Sequence, residues 1–156
     1  MLIGVFVYGH RGAAGEAAEN TLLAIARGIA AGCDGIEVDL RLCDGVAVVL
    51  HDADLDRTTS ATGSVYARSR AELPAITAAG APIPSLATVV AAGRGVRVNL
   101  ECKDAAVVAP VCAAWRPDRD WLLSSFLIPA LERARVLAGD LPRALRSVTE
   151  PGPVRG

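Results

Sequence analysis

Short apolar runs alternate with longer stretches of helical spacing along most of the chain. The apolar runs predict six strands, at residues 2–8, 35–42, 46–50, 96–102, 121–125 and 143–148. The stretches between them predict helices at residues 21–31, 85–92, 105–115 and 129–137. Strands that alternate with helices usually pair in parallel through crossover connections. The pattern therefore predicts an α/β fold built on about six parallel strands.

Polar and small residues mark where these elements begin and end. Asn20 is predicted to cap the first helix, with Gly32 just past its end, and Ser85 to cap the second. The segment from Asp52 to Ile83 has weak periodicity and is rich in threonine, serine, alanine and glycine. At 156 residues, the chain is predicted to form a single domain, residues 1–156, with its own core.

Composition and charge exclude several classes of protein. Apolar residues make up 52% of the chain and charged residues 21%, which is typical of a soluble globular protein. Sixteen basic and seventeen acidic residues leave no basic field for nucleic acid. No apolar run approaches the roughly 18–20 residues that span a bilayer, so no membrane span is predicted.

The first residues of the chain and its cysteines bear on the cellular location of the protein. Met1–Tyr8 is too short for the apolar part of a signal peptide, and the four cysteines lack the CxxC spacing of a zinc or redox site. Reduced, packed cysteines in a cytoplasmic protein are the prediction. Secretion stays open, because the sequence can be that of a mature protein.

Ionisable residues gather at the ends of the first four predicted strands. They are His10 and Arg11, Glu37 and Asp39, His51 and Asp52, and Glu101 and Lys103. Singly, each has a structural alternative: strand carboxylates can face solvent, a lone histidine is usually structural, and a lysine is usually solvated. Parallel α/β sheets, however, place their chemistry at the carboxyl ends of strands. The coincidence on four successive strands favours one shared site.

Three of these residues are carboxylates with the spacing of a metal site. Glu37 and Asp39 lie two residues apart on one strand, so they point to the same face, and Glu101 adds a third negative charge. Burying unpaired carboxylates together costs several kcal/mol each, as an order of magnitude. A hard divalent cation such as Mg²⁺ or Ca²⁺ relieves that cost, because it takes oxygen ligands.

Six ordered motifs carry a family resemblance. They are "GHRG", "ENT", "GIEVDL", "HD" followed by "LDRTT", "IPSL" and "LECK", and they run from Tyr8 to Lys103. Together they resemble the glycerophosphodiester phosphodiesterase family, and "LLSSF" continues the likeness more weakly to Phe126. The resemblance implies a (β/α)8 TIM barrel. It also implies hydrolysis of deacylated phospholipids to glycerol 3-phosphate and an alcohol.

The same resemblance implies a role for each candidate residue. Glu37, Asp39 and Glu101 match its ligands for one divalent cation, Mg²⁺ or Ca²⁺. His10 and His51 match its acid/base histidines, and Arg11 and Lys103 match its phosphate-binding positions. The implied partner is a small glycerophosphodiester. The role of Glu19, in "ENT", stays open.

The chain departs from the family in length. A full barrel typically needs about 250 residues, so an incomplete TIM-barrel-like domain is predicted, with open edges at its first and sixth strands. A homo-oligomer that covers these edges is the favoured explanation; an open barrel and a truncated remnant are the alternatives. Two other functions stay open: a phosphodiesterase directed at lysophospholipids, and a catalytically weak module that binds metal and phosphate.

Overall fold

The computed structural model describes residues 6–147, and its elements follow the predicted alternation of strands and helices. The first half contains β1 (Tyr8–His10), α1 (Leu22–Ala30), β2 (Gly35–Cys43), β3 (Val46–Val49), β4 (Thr77–Ala78) and β5 (Ala81–Pro82). The second half contains α2 (Leu86–Ala92), β6 (Arg97–Cys102), α3 (Val108–Ala114), β7 (Trp121–Ser125), α4 (Ile128–Leu137) and β8 (Arg143–Leu145).

Five strands pair in parallel, in the order β1-β2-β6-β7-β8. Helices connect most of these strands and bury one side of the sheet, so the predicted α/β fold class is confirmed. The element boundaries move by a few residues. The first strand begins at Tyr8, so Phe6 and Val7 do not belong to it, whereas the predicted start at Leu2 and the predicted end of the sixth strand at Val148 lie outside the described residues.

The third strand corrects the expectation of six parallel strands, because β3 runs antiparallel to β2. Asp44 and Gly45 form the two-residue connection, with φ angles of 44° and 76°. Two positive φ angles are characteristic of a type I′ hairpin turn, for which Asp-Gly is a favoured pair. The chain therefore folds back on β2 at once, with Leu40 paired to Val49, and no helical crossover intervenes.

The main core lies between the sheet and the helices. On β2 it is formed by Ile36, Val38 and Leu40, which alternate with residues of the opposite side. Cys102 on β6 belongs to this core, because it lies between Glu101 and Lys103 and successive strand residues point to opposite sides. Burial raises the pKa of the Cys102 thiol.

The weakly periodic segment after Asp52 folds around a second, smaller core. It contains two short 3₁₀ turns and the β4–β5 hairpin. Its buried residues Leu55, Val65 and Ile76 pack with Val48 and Leu50 at β3. The segment therefore covers the hairpin strand and supports the chain where it reaches His51.

The helix caps are partly as predicted. Ser85 caps α2, and its hydroxyl accepts from the Thr88 amide at 3.3 Å. The cap of α1 was predicted one residue too early: it is Thr21, whose hydroxyl accepts from the Ala24 amide at 3.1 Å. Asn20 has a positive φ of 59° and directs its side chain elsewhere. Among residues 6–147, no helix has the length and apolar character needed to cross a membrane.

Candidate active site

The register of β2 and β6 brings the three predicted carboxylates together. Asp39 pairs with Glu101, and Glu37 lies one step back on the same side of β2. One oxygen from each carboxylate lies within 4.8 Å of the others. All three side chains are buried. The side of the sheet away from the helices therefore carries a compact acidic cluster, hereafter the carboxylate cluster (Glu37, Asp39 and Glu101).

The two predicted phosphate-binding residues contact this cluster. Lys103 Nζ lies 3.0 Å from Oδ1 of Asp39 and 2.5 Å from Oε1 of Glu101. Arg11 Nε lies 3.3 Å from Oδ2 of Asp39, and the Arg11 backbone amide donates to Oε2 of Glu37 at 3.0 Å. These cations offset the charge that burial would otherwise make costly.

A third cation at the cluster was not predicted. Arg146, one residue past β8, donates from Nη1 to Oε1 of Glu37 at 2.6 Å and also to Oε2 of Glu101. The predicted sixth strand extends to Val148, which places Arg146 inside the strand. Because β8 ends at Leu145, Arg146 instead lies at a strand end, like the predicted site residues.

Burial governs the acidity of Glu37. Desolvation raises the pKa of its carboxyl, and the neighbouring charge of Asp39 raises it further. Hydrogen bonds from the Arg11 amide and from Arg146 act in the opposite direction. The net effect is a raised pKa for the Glu37 carboxyl, because these hydrogen bonds offset only part of the effect of burial and of Asp39.

Asn20, which the sequence predicts to be a helix cap, instead contacts the carboxylate cluster. Its Nδ2 donates to Oδ2 of Asp39 at 2.9 Å, and its Oδ1 accepts from the Asp39 amide at 3.2 Å. The two bonds fix the Asp39 side chain relative to its own backbone. Asparagine suits this place because it tolerates the left-handed conformation better than most residues.

Two glycines shape the turn that carries His10. A Cβ on Gly9 would lie 2.4 Å from the Gly12 carbonyl oxygen, and a Cβ on Gly12 would lie 2.5 Å from the Ala24 carbonyl carbon. Gly12 also has a φ of 83°. The tight turn at "GHRG" therefore requires glycine at both positions, because the backbone contacts are too close for a Cβ. It leaves His10 exposed and paired in register with Glu37.

His51 reaches the same level of β2 from the opposite direction. Because β3 is antiparallel, its carboxyl end returns toward the cluster, and the Leu50 amide donates to the Asp39 carbonyl at 3.0 Å. His51 follows directly, with Nδ1 2.7 Å from Oδ1 of Asp52. The two histidines were expected at equivalent ends of parallel strands. Instead, β1 pairs in parallel with residues 35–37 of β2 and β3 pairs antiparallel with residues 40–43, so the chain runs toward the two histidines in opposite directions.

Glu19, whose role the sequence left open, joins two arginines at the rim. Its carboxylate lies 2.9 Å from Nη1 of Arg11 and 2.7 Å from Nη2 of Arg57. Arg57 also contacts Asp52 at 2.5 Å, and this hydrogen bond, with a further one from His51, lowers the pKa of Asp52 to about 2. Hydrogen bonding from Arg57, above all, lowers the pKa of Glu19. The rim network therefore links Arg11 to His51.

Two cavities lie away from this cluster. One of about 530 Å³ is lined at the amino ends of β6 and β7 by Arg97, Asp120 and Trp121. The other, of about 500 Å³, lies beside Val46 and Leu86. None of the seven predicted site residues lines either cavity. The predicted site residues and these two cavities therefore lie in different parts of the described structure.

The donor set of the cluster fits a hard divalent cation. Three buried carboxylates from two adjacent strands converge within the range of a single ion. Oxygen ligands of this kind suit Mg²⁺ or Ca²⁺. Two cationic side chains, Lys103 and Arg146, bridge pairs of these carboxylates and supply positive charge there.

Known proteins show the same arrangement of strands and helices. A phosphodiesterase from Oleispira antarctica, solved with the product sn-glycerol-3-phosphate, superposes with a TM-score of 0.81 at 31% identity, over 89% of this chain and 64% of that one. A glycerophosphodiester phosphodiesterase from Agrobacterium tumefaciens superposes with a TM-score of 0.81 at 33% identity, over 90% of this chain and 66% of that one. The described residues thus correspond to part of the barrel predicted from the sequence.

Sequence comparison agrees with the structural likeness. A protein named glycerophosphodiester phosphodiesterase from Caldanaerobacter subterraneus is 36% identical over 115 residues, which are 67% of this chain and 47% of the relative. The chain therefore spans about half of that relative and just under two thirds of the two solved structures. The family model described as the glycerophosphoryl diester phosphodiesterase family matches residues 10–143. This match covers most of the chain, and the protein belongs to that family.

Proposed function

We propose that this protein hydrolyses glycerophosphodiesters to glycerol 3-phosphate and an alcohol, with a divalent cation held by Glu37, Asp39 and Glu101. The observation that carries the proposal is the carboxylate cluster, with Arg11 and Lys103 in contact with it. The product bound in the Oleispira antarctica structure supports this substrate class.

Positive charge is what a phosphodiester most needs from such a site. The substrate is an anion, and its transition state gains further negative charge on the phosphoryl oxygens. A bound Mg²⁺ or Ca²⁺ would supply Lewis-acid charge at this point. Arg11 can hold two phosphate oxygens through its planar fork, and Lys103 acts as a point charge beside them.

The two histidines are proposed to move the protons. In His51, a proton on Nδ1 would be held by Asp52, which leaves Nε2 as the atom that accepts or donates a proton. His10 stands on the adjoining strand end, exposed to an incoming substrate. Proton transfer by a positioned histidine typically contributes about 10²–10⁴-fold to the rate.

The setting of the reaction belongs to the same proposal. All four cysteines are free, which supports the reducing cytoplasm as the location. Within residues 6–147, β8 pairs only with β7. Self-association of the chain through this edge is therefore part of the proposal, because an unpaired edge strand favours pairing with another chain.

The direct test is release of glycerol 3-phosphate from glycerophosphocholine by the purified protein, with Mg²⁺ or Ca²⁺ and with EDTA. We expect release that depends on the cation and is lost in His10→Ala and in Glu37→Gln. Glu72→Gln makes the same chemical change on an exposed residue away from the cluster, and it should leave turnover unchanged.

Two results would contradict the proposal in different ways. Turnover of lysophosphatidylcholine in preference to glycerophosphocholine would move the substrate class to lysophospholipids. Folded protein that binds the cation and glycerol 3-phosphate but releases no product would instead indicate a binding module.

A further inference from the structure

A cation of the chain itself lies between two of the three proposed metal ligands. Arg146 Nη1 donates to Oε1 of Glu37 at 2.6 Å and to Oε2 of Glu101. A single guanidinium nitrogen therefore bridges carboxylates of two different strands. Divalent cations bond such oxygens at about 2.0–2.6 Å. An ion between Glu37 and Glu101 would thus need the space that Nη1 fills.

We propose that Arg146 and the divalent cation compete for Glu37 and Glu101, so that the metal binds only when the Arg146 guanidinium withdraws. The inference rests on the metal site of the proposed function, and it adds a determinant of metal affinity. A guanidinium and a divalent ion repel each other, and the low dielectric of a buried site strengthens that repulsion.

Arg146 is better placed to leave than Lys103, the other bridging cation. The Arg146 side chain is 29% exposed, against 13% for Lys103. The two also bridge different pairs: Lys103 joins Asp39 to Glu101, whereas Arg146 joins Glu37 to Glu101. Withdrawal of Arg146 therefore frees one oxygen on each of two ligands and leaves the Lys103 contacts in place.

A place for the withdrawn guanidinium is present nearby. Arg146 Cζ lies 5.3 Å from the centre of the Phe126 ring, and Phe126 is 42% exposed at the end of β7. An aromatic face attracts a guanidinium within about 6 Å. The side chain can therefore keep a favourable contact after it gives up both carboxylates.

The test compares Mg²⁺ and Ca²⁺ affinity, by calorimetry, between the wild-type protein and Arg146→Ala. We expect the variant to bind either ion about ten- to a hundredfold more tightly, because two charge-assisted hydrogen bonds no longer have to be broken. Arg146→Lys, which retains a positive charge, should bind Mg²⁺ and Ca²⁺ more weakly than Arg146→Ala does. Arg97→Ala removes the same charge at the other end of the sheet, where Arg97 pairs with Asp120. This variant should bind both ions with the affinity of the wild type.

A second measurement needs no variant. Phenylglyoxal modifies free arginines, and mass spectrometry of wild-type protein can report the extent at each position. Saturating Mg²⁺ should increase modification at Arg146 several-fold and leave Arg97 unchanged. Reduced modification of Arg146 in the presence of Mg²⁺ would show that the ion and the arginine are held together, which overturns the inference.

The outcomes separate this inference from the proposed function. Equal affinity in the wild type and Arg146→Ala, both lost in Glu37→Gln, would overturn the competition and leave the metal site intact. Absence of Mg²⁺ and Ca²⁺ binding in both folded proteins would overturn the metal site, and the inference with it.

Discussion

The two sides of the β2–β6 pair differ completely in chemical character, although alternate residues of the same two strands form both. The side that faces the helices holds Ile36, Val38 and Leu40 on β2, all fully buried in the main core. The opposite side holds Glu37 and Asp39, which are equally buried but charged. Successive strand residues point to opposite sides, so stability and chemistry alternate along one strand.

This difference explains how the fold tolerates a buried acidic site. Leu100 and Cys102, the residues before and after Glu101, pack against the helices. Their packing holds the backbone of β6 in place without help from the Glu101 carboxylate. The charged side needs only to balance its own charge, which Arg11, Lys103 and Arg146 do. Substitutions at neighbouring positions of one strand should therefore differ in whether they mainly affect stability or mainly affect turnover.

The largest expected contrast is between Leu100→Ala and Glu101→Gln. Leu100→Ala should lower the free energy of unfolding by about 2–5 kcal/mol, because it leaves a cavity in the core. Glu101→Gln should lower it by only about 1–2 kcal/mol, since Lys103 and Arg146 each keep a second carboxylate. Glu101→Gln should abolish cation-dependent turnover, which Leu100→Ala should retain below its melting temperature.

Urea unfolding in EDTA gives the two stabilities, and glycerol 3-phosphate release gives the two activities. If Glu101→Gln destabilised the metal-free protein as much as Leu100→Ala does, the division between the two sides of β6 would be wrong.

A smaller effect is expected from Asn20→Gly, which removes both hydrogen bonds to Asp39 and accommodates the positive φ of this residue. Loss of a group that orients a metal ligand typically lowers metal affinity by about 10–100-fold. Calorimetric titration with Mg²⁺ measures the change directly.

Thr21→Ala provides the matched control for Asn20. It removes the cap of α1 and should cost about 1 kcal/mol of stability without a change in Mg²⁺ affinity. A cap role for Asn20 would produce the reverse result, with stability lost and metal affinity retained.

The smallest effect is expected from Arg57→Ala, at the rim of the charged side. Without Arg57, the pKa of Asp52 should rise from about 2 toward 3.8, as followed by carboxyl-carbon NMR. Because the folded-state pKa of Asp52 is lowered, its contribution to stability is present above about pH 4 and is lost as the pH falls through 2. This pH dependence should largely disappear in the variant.

The same variant tests whether the rim network positions His51. We expect kcat to fall about tenfold with little change in KM, which corresponds to about 1.4 kcal/mol of transition-state stabilisation. Arg57→Lys should restore part of the rate. A shifted Asp52 pKa with an unchanged kcat would show that the contact between Asp52 and His51 does not depend on Arg57.

The sequence predicted the fold best where the pattern was local. The alternation within β2 and β6 placed Glu37, Asp39 and Glu101 on one side, and the structure brings them together. The predicted direction of β3 was wrong, because the general rule of parallel pairing does not hold across Asp44-Gly45. There the preference of the Asp-Gly pair for a two-residue hairpin turn determines the strand direction.

The contacts that the sequence did not predict are long-range or depend on a boundary. Asn20 and Asp39 are 19 residues apart, and Arg146 and Glu37 are 109 apart, so no local period relates them. Asn20 also resembles a helix cap, and only its positive φ, with Thr21 as the actual cap, frees its side chain for Asp39. Such assignments require the tertiary fold.

The hairpin that returns the chain to His51 also limits which insertions and deletions this protein can accept there. Removal of one residue from β3 alone would shift its pairing with β2 by one position and turn every following side chain to the other side of the sheet. Removal of one paired residue from each strand, such as Cys43 with Val46, would shorten the hairpin and preserve the level at which Leu50 meets Asp39. Length variation in this hairpin should therefore occur in cross-strand pairs, because the number of residues in its two arms sets the position of the histidine.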